Sequence, residues 1–279
     1  FMVLSSYAKI NLTLKVNFRG SNNLHEIQSY FCLINLADEI KIKRIKNKKD
    51  KISFNGPFAK FVNKSNNSIN KLLKLLRELE LISNYYSVTI KKNIPVFGGL
   101  GGGTGNTAFI FKHLLKKKIN KSLINIVCDK IGSDFKLFFY KQGFLKNLRS
   151  IINLKKKQNM FFVLIQPHVK CSTKLIYSRV KNYSNKKPFE KSRINSRLKF
   201  ISYLSKSNNE LQSIVEKKYP IIKELLKDIK NEKGCYFSRM TGSGSVCYGL
   251  FNNEIKAKKA LNNLKIKYPK FWSSFAKTI

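Results

Sequence analysis

The sequence predicts a mixed α+β chain built in two parts. Three observations carry this. Period-two and helical-period stretches are mixed with no internal repeat, a polar Lys155-Lys156-Lys157-Gln158-Asn159 run interrupts them past the middle, and 279 residues suffice for two modest domains. The expected division is 1–157 and 158–279.

The first strand is read over 7–16. Ala8, Ile10, Leu12, Leu14 and Val16 form one face and Tyr7, Lys9, Asn11, Thr13 and Lys15 the other, so one side packs on a core and the other is polar. Apolar segments at 27–36, 39–45 and 51–54 suggest an antiparallel sheet early in the chain. A helix spans 68–81, where Ile69, Leu72, Leu73, Leu76 and Leu79 fall at helical spacing, and 87–91 is a further strand. The segment IPVFGGLGGGTG, 94–105, leads into a helix over 106–115, then another over 122–131, and Gly132-Ser133-Asp134 precedes the apolar run 135–140. The second part reads as a buried strand at 161–166, a polar surface loop at 182–196, and helices at 210–217 and 221–230. A strand at 235–239, a tight loop at 241–244, a strand at 245–251, a helix at 254–267 and a last strand complete it.

At 43% hydrophobic and 25% charged residues the composition is that of a soluble globular protein. No stretch approaches the ~18 to 20 apolar residues of a membrane span, and Lys9 and Asn11 break the opening apolar run, which argues against a secretory signal. A cytoplasmic monomer or weak homodimer with no membrane partner is expected. The five cysteines, an odd number without a C-x-x-C pair, read as reduced core residues, and His25, His113 and His168 lack the spacing of a zinc site. The net charge of +40 attracts polyanions. Its lysine runs, at 46–51, 116–118, 155–157, 186–187 and 256–259, are spread along the whole chain, as translation of a very AT-rich genome would produce. No dedicated nucleic-acid partner is expected.

Six of the eight residues from Gly98 to Gly105 are glycine. Such a cluster lets the backbone adopt positive φ and present successive N–H groups to an anion, and the helix that follows adds its positive end, so a phosphate is the natural occupant. A Walker A loop is excluded because no Lys-Ser or Lys-Thr pair follows. The pattern Gly103-x-Gly105-x-x-Ala108 matches a dinucleotide fingerprint formally, but Asp129, at the right distance for a ribose contact, falls within a predicted helix.

The opening YAKINLTLKV, the loop IPVFGGLGGGTGNTA, the segment GSDFKLFF and the late MTGSGSVCYGLF, in that order, resemble the GHMP kinases over nearly the whole chain. Within them the closest resemblance is to the branch acting on a cytidine-diphosphate-linked methylerythritol. The resemblance implies a two-domain fold: an N-terminal, ribosomal-S5-domain-2-like ATP-binding domain over 1–157 and a C-terminal, ferredoxin-like α/β sandwich over 158–279. It further implies ATP with Mg²⁺, and phosphorylation of the small-molecule substrate's 2-hydroxyl in the non-mevalonate isoprenoid pathway.

By the same resemblance Asp134 is the base for the substrate hydroxyl, and Lys9 reaches a phosphate or lowers the pKa of the attacking hydroxyl. Pro95, Val96, Phe97, Gly98, Gly99, Leu100, Gly101, Gly102, Gly103, Thr104 and Gly105 wrap the ATP phosphates, with the Thr104 hydroxyl nearest to phosphate or Mg²⁺. Asn11 contacts substrate, and the loop carrying Thr241 and Gly242 closes the site. In the base pocket His25 reads cytosine, while Asn23-Leu24-His25 has Leu24 where the family has a stacking Tyr. Tyr183 or Phe189 would supply the missing aromatic face, with Phe189 favoured. Two further departures are Thr104-Gly105-Asn106 in place of Ser-Ser-Asp/Asn, and Lys136 in place of a Pro. The competing readings are another small-molecule GHMP kinase, such as homoserine or mevalonate kinase, and a basic nucleic-acid-binding protein on the same fold, which would show salt-dependent polyanion binding and no turnover.

Overall fold

The computed structural model describes residues 3–20, 24–63 and 67–279, so Asn23 of the base-pocket triplet lies outside the described residues. In chain order the strands and helices are β1 (Val3–Asn11), β2 (Lys15–Arg19), β3 (His25–Ile45), β4 (Lys51–Asn55), α1 (Ser68–Glu78), β5 (Tyr85–Lys91), α2 (Gly102–Leu115), α3 (Lys121–Ile131), β6 (Gln142–Asn147), β7 (Ser150–Asn153) and β8 (Phe161–Gln166). Then follow α4 (Thr173–Tyr177), α5 (Arg197–Ser205), α6 (Gln212–Lys218), α7 (Ile221–Asn231), β9 (Cys235–Met240), β10 (Cys247–Phe251), α8 (Glu254–Lys267) and β11 (Trp272–Lys277). The chain divides into two compact units that interleave along the sequence, with changes of unit inside β1 after Lys9 and inside β3 after Asn35. The expected division at 157/158 is, by contrast, a single cut.

The first unit holds the chain up to Lys9, Leu36–Val96 and Gly101–Tyr140. Here β5 pairs antiparallel with the C-terminal half of β3, Ile40 opposite Ile90 and Ile42 opposite Val88, and β4 pairs parallel to β5. The parallel pair corrects the expected antiparallel arrangement: α1 connects β4 to β5, and a parallel pair needs such a crossover. Asn67 caps α1 by accepting the Ile69 and Asn70 amides at 3.1 and 3.0 Å. The helix stops at Glu78 instead of running to Leu81. Glu80 takes a φ of 55°, and the bonds Leu81 N to Leu76 O and Glu80 N to Arg77 O close the end. Ile69, Leu72, Leu73 and Leu76 are buried beside Ala108, Ile110 and Phe111 of α2 in this unit's core. The helix α2 begins four residues earlier than expected, so the glycines are its first turn.

The second unit holds Ile10–Asn35, Phe97–Leu100 and Lys141–Ile279. The N-terminal half of β3 pairs antiparallel with β2 and β6, and β6 with β7, a hairpin the sequence did not reveal. A second sheet, ordered β11-β8-β10-β9, is antiparallel throughout. With α7 and α8 packed against it, its connectivity is the ferredoxin-like split βαβ arrangement that was expected.

Two readings of the early strands need correction. The strand expected over 7–16 ends at Asn11, because the next residues bond to β3 as a turn: Leu12 N donates to Tyr30 O at 2.7 Å and Tyr30 N to Thr13 Oγ1 at 3.0 Å. Its polar face is not solvated either, since Asn11 and Thr13 are 2% and 5% exposed. Buried polar groups require partners, and here Asn11 Nδ2 donates to Ser29 Oγ and Ser29 Oγ to Thr13 O. The segments 27–36 and 39–45 form one continuous strand, β3. The loop over 182–196 is pinned to these strands: Ser184 N donates to Val16 O, and the Gln28 amide bonds both the N–H and C=O of Lys187. No helix among the described residues is long and apolar enough to cross a membrane.

Lys112 of α2 donates to Phe138 O at 2.9 Å, and its ammonium lies 3.9 Å from the centroid of the Phe109 ring. Burial pushes its pKa down from 10.5 to about 8. Between those values the unfolded chain holds a proton that the folded chain has released, so this lysine adds stability as pH rises through the window. Thermal unfolding of Lys112→Met beside the parent chain should show the stability difference moving in the parent's favour from about pH 8 to about pH 10. A difference independent of pH would exclude this role.

Candidate active site

In the first unit Lys9 sits near the end of β1 between the buried Ala8 and Ile10, and is itself only 3% exposed. Its Nζ lies 3.2 Å from Asp134 Oδ2, whose side chain is 35% exposed. Asp134 is held by a 3₁₀ turn, Ser133–Phe139, that leaves α3 through Gly132 at φ 142° and is anchored by the buried Phe135, Leu137 and Phe138. Lys112 supports the same turn through its bond to Phe138 O. The pair therefore joins a buried, oriented ammonium to a carboxylate that solvent reaches. Lys136, in the same turn, is buried at 6% exposure.

Of the glycines of this unit, Gly101 lies against that pair. Gly101 has a φ of 70°, and a Cβ on it would lie 2.8 Å from Phe138 Cζ and 3.2 Å from Lys9 Cε. The first α2 amide with an intrahelical acceptor is that of Gly105, on Gly101 O at 2.7 Å. By helix geometry the amides of Gly102, Gly103 and Thr104 have none. Gly103 is exposed, and a Cβ there would meet nothing within 4 Å. Pro95 is buried and Val96 partly so. Behind the loop Asp38, 0% exposed, accepts from Lys92 Nζ, from the Asn93 and Ile94 amides at 2.8 Å each, and from Asn106 Nδ2 at 2.9 Å. Sequence reasoning missed it, because an Asp in an Ala-Asp-Glu stretch at the middle of a strand carries no motif.

In the second unit the other part of the loop, Phe97–Leu100, is bonded along the segment after β9: Ser245 N donates to Phe97 O and Val246 N to Gly98 O, at 2.9 and 3.2 Å. A Cβ on Gly99 would fall 2.2 Å from Thr241 O, so only glycine fits there. Leu100 is buried and Phe97 is 45% exposed. Thr241 is buried and its hydroxyl accepts the Asn11 amide at 3.0 Å, while Gly242 O accepts from Asn209 Nδ2 at 2.8 Å. Asn11, Thr241 and Gly242 are thus brought together.

His25 opens β3. Its ring lies 5.1 Å from that of Tyr177 and 6.2 Å from that of Tyr183, the latter stacked at 27°. Burial, and secondarily the Arg19 guanidinium, lowers its pKa, so at neutral pH the ring offers one donor and one acceptor. Leu24 is 47% exposed. Phe189 is not placed here: it packs 5.6 Å from Phe144 and 6.4 Å from Tyr30, a hydrophobic anchor for the 182–196 loop. Among the described residues the aromatic partners of His25 are Tyr183, the alternative not favoured, and Tyr177. Tyr177 ends the five-residue α4, too short to show a helical period.

The two exposures predict opposite responses to alanine. Gly101→Ala forces a left-handed φ and a clash with Phe138, and should cost about 1–3 kcal/mol. Gly103→Ala, in an open helical position, should leave stability unchanged or raise it by about 0.4–1 kcal/mol. Urea unfolding of both variants checks this, and equal losses would show that packing alone requires both glycines.

Residues 191–270 match the family of the GHMP kinases C terminal. The 4-diphosphocytidyl-2-C-methyl-D-erythritol kinase of Pelagibacter ubique (strain HTCC1062) is 34% identical over 99% of this chain and 98% of its own length. The kinase of the same name from Wolbachia sp. subsp. Brugia malayi (strain TRS) is 30% identical over 98% and 96%. A crystal structure of 4-(cytidine 5'-diphospho)-2C-methyl-D-erythritol kinase superposes with a TM-score of 0.75 at 22% identity, covering 99% of both chains. The homoserine kinase of Cytophaga hutchinsonii follows at 0.71 and 16%, covering 99% of this chain and 93% of its own, and these two structures speak to the fold alone. On the full-length identity to the curated relatives, the chain belongs to the 4-diphosphocytidyl-2-C-methyl-D-erythritol kinase family of GHMP kinases and is a small-molecule kinase.

Proposed function

We propose that the chain transfers the γ-phosphoryl group of ATP to the 2-hydroxyl of 4-diphosphocytidyl-2-C-methyl-D-erythritol. The observation that carries this reading is the Lys9–Asp134 pair in the unit that also holds the open amides of α2. In the reaction the substrate oxygen forms a bond to the γ-phosphorus, the bond from that phosphorus to the β–γ bridging oxygen breaks, and ADP leaves. The hydroxyl proton passes to the Asp134 carboxylate, which solvent reaches. The Lys9 ammonium holds that carboxylate in place and offsets negative charge as the phosphoryl group moves. The amides at the start of α2 and the φ of Gly101 suit a phosphate, which the aligned peptide dipoles favour. Mg²⁺ suits a small protein donor set completed by phosphate oxygens and water, in which the Thr104 hydroxyl would be the contact from this chain and the ion would offset the phosphates' charge.

Asn11, Thr241 and Gly242 are proposed to contact the alcohol, and His25 to read the pyrimidine edge. Tyr177 and Tyr183 take the stacking role expected of Phe189, because their rings lie against His25. A cytoplasmic location belongs to the same reading.

Asp134→Asn and Lys9→Ala should each lower kcat by ~10²- to 10⁴-fold in a coupled ADP-release assay with the cytidine-linked alcohol, while circular dichroism is unchanged. Near-full activity of Asp134→Asn would dismiss the base assignment, and turnover of homoserine or mevalonate in place of that alcohol would dismiss the substrate. Tyr177→Ala and Tyr183→Ala are expected to raise the KM of the alcohol, with at least one in the range of roughly 5- to 150-fold, the equivalent of one stacked base. Phe189→Ala should act on thermal stability. A larger KM effect at Phe189 than at either Tyr reverses the pocket assignment.

A further inference from the structure

Asp38 bonds to both ends of the segment that contains the glycine run. At the start it takes the Lys92 ammonium and the amides of Asn93 and Ile94, and at the far end the side-chain amide of Asn106, already within α2. All four donors converge on one carboxylate with no solvent exposure. The ammonium it holds is 3% exposed and lies directly behind the first turn of α2, since a Cβ on Gly102 would meet Lys92 Nζ at 3.2 Å. A glycine-rich segment has the most conformational freedom to lose on binding a ligand. Fixing both its ends before the ligand arrives removes part of that cost.

We infer that Asp38 is a positioning residue for nucleotide binding: its carboxylate clasps residues 92–94 to Asn106, so that the amides at the start of α2 are aligned before ATP enters. The inference rests on the proposed role of this loop as the phosphate site. Asp38 itself touches no phosphate. Lys92, fully engaged with it, contributes a fixed positive charge behind the helix end.

The test measures ATP affinity calorimetrically without the alcohol, together with thermal unfolding and KM values, in the parent chain, Asp38→Asn and Asp38→Asn/Lys92→Met. Asp38→Asn should weaken ATP binding at least tenfold while the KM of the alcohol stays within about twofold. The double variant removes the unpaired buried ammonium and should regain thermal stability without regaining ATP affinity. ATP affinity that is unchanged in Asp38→Asn, or that recovers in step with stability in the double variant, overturns the assignment in favour of a purely structural carboxylate. Failure of both variants to fold overturns it too. Because ATP binding is read without the alcohol, absence of turnover in the parent chain would count against the proposed substrate and leave the Asp38 result standing.

Discussion

Three backbone amides at the start of α2 have no acceptor in their own helix, and much of the first unit is organised around keeping them that way. Leaving N–H groups unpaired is costly unless water or a ligand takes them. The chain avoids local alternatives by using residues without a side chain to accept the bonds. It turns into the helix through Gly101 at φ 70°, which no other residue adopts as readily. Phe138 and Lys9 pack so closely around Gly101 that the Lys9–Asp134 pair and the first turn of α2 share one scaffold. Lys112, further along α2, bonds the carbonyl of that same Phe138.

Charge is distributed to match. With 15 acidic residues against 55 basic ones, carboxylates are scarce, and several occupy sites where they organise backbone. Asp38 gathers the glycine loop, Asp50 accepts the Tyr86 amide and pairs with Arg77 at 2.6 Å, and Glu210 accepts the Val16 amide. The buried ammonium groups of Lys9 and Lys92 each face an aspartate, whereas the buried Arg239 is met by the carbonyls of Leu12, Leu204 and Ser207. These three buried cations thus have the partners that their desolvation demands. The remaining lysines lie largely on the surface, where they shape the electrostatic field more than the fold.

Features legible in the sequence were those with a local physical cause. Helical spacing gave α1 and α7, the glycine run gave the loop, and the pattern over 235–251 gave two strands and the helix after them, while the ferredoxin-like arrangement of that half was implied by the family resemblance. What escaped depended on distant partners. Nothing local in Lys9, Asn11 and Thr13 distinguishes a polar face turned to water from one sealed by Asp134, Ser29 and Tyr30. Asp38 is silent for the same reason, since its four donors come from residues more than 50 positions away. Phe189 and Tyr177 show the limit on aromatics: which ring meets His25 is decided by where a five-residue helix ends, not by composition.

The interleaved course of the chain has a consequence for its synthesis. Residues 10–35 belong to the second unit but leave the ribosome long before most of the rest of it, 141–279. The carbonyl of Leu12 waits for Arg239, 227 positions later. At about 5–20 residues per second that interval is roughly 10–45 s, during which the Leu12 carbonyl is made and the guanidinium that meets it is not. The last residue of the first unit is Tyr140, and β6, which pairs with the N-terminal half of β3, follows it directly, whereas Arg239 comes about a hundred residues later. Protection of that early segment by other surfaces, in this protein or in a chaperone, is thus set by chain order as much as by any contact in the finished molecule.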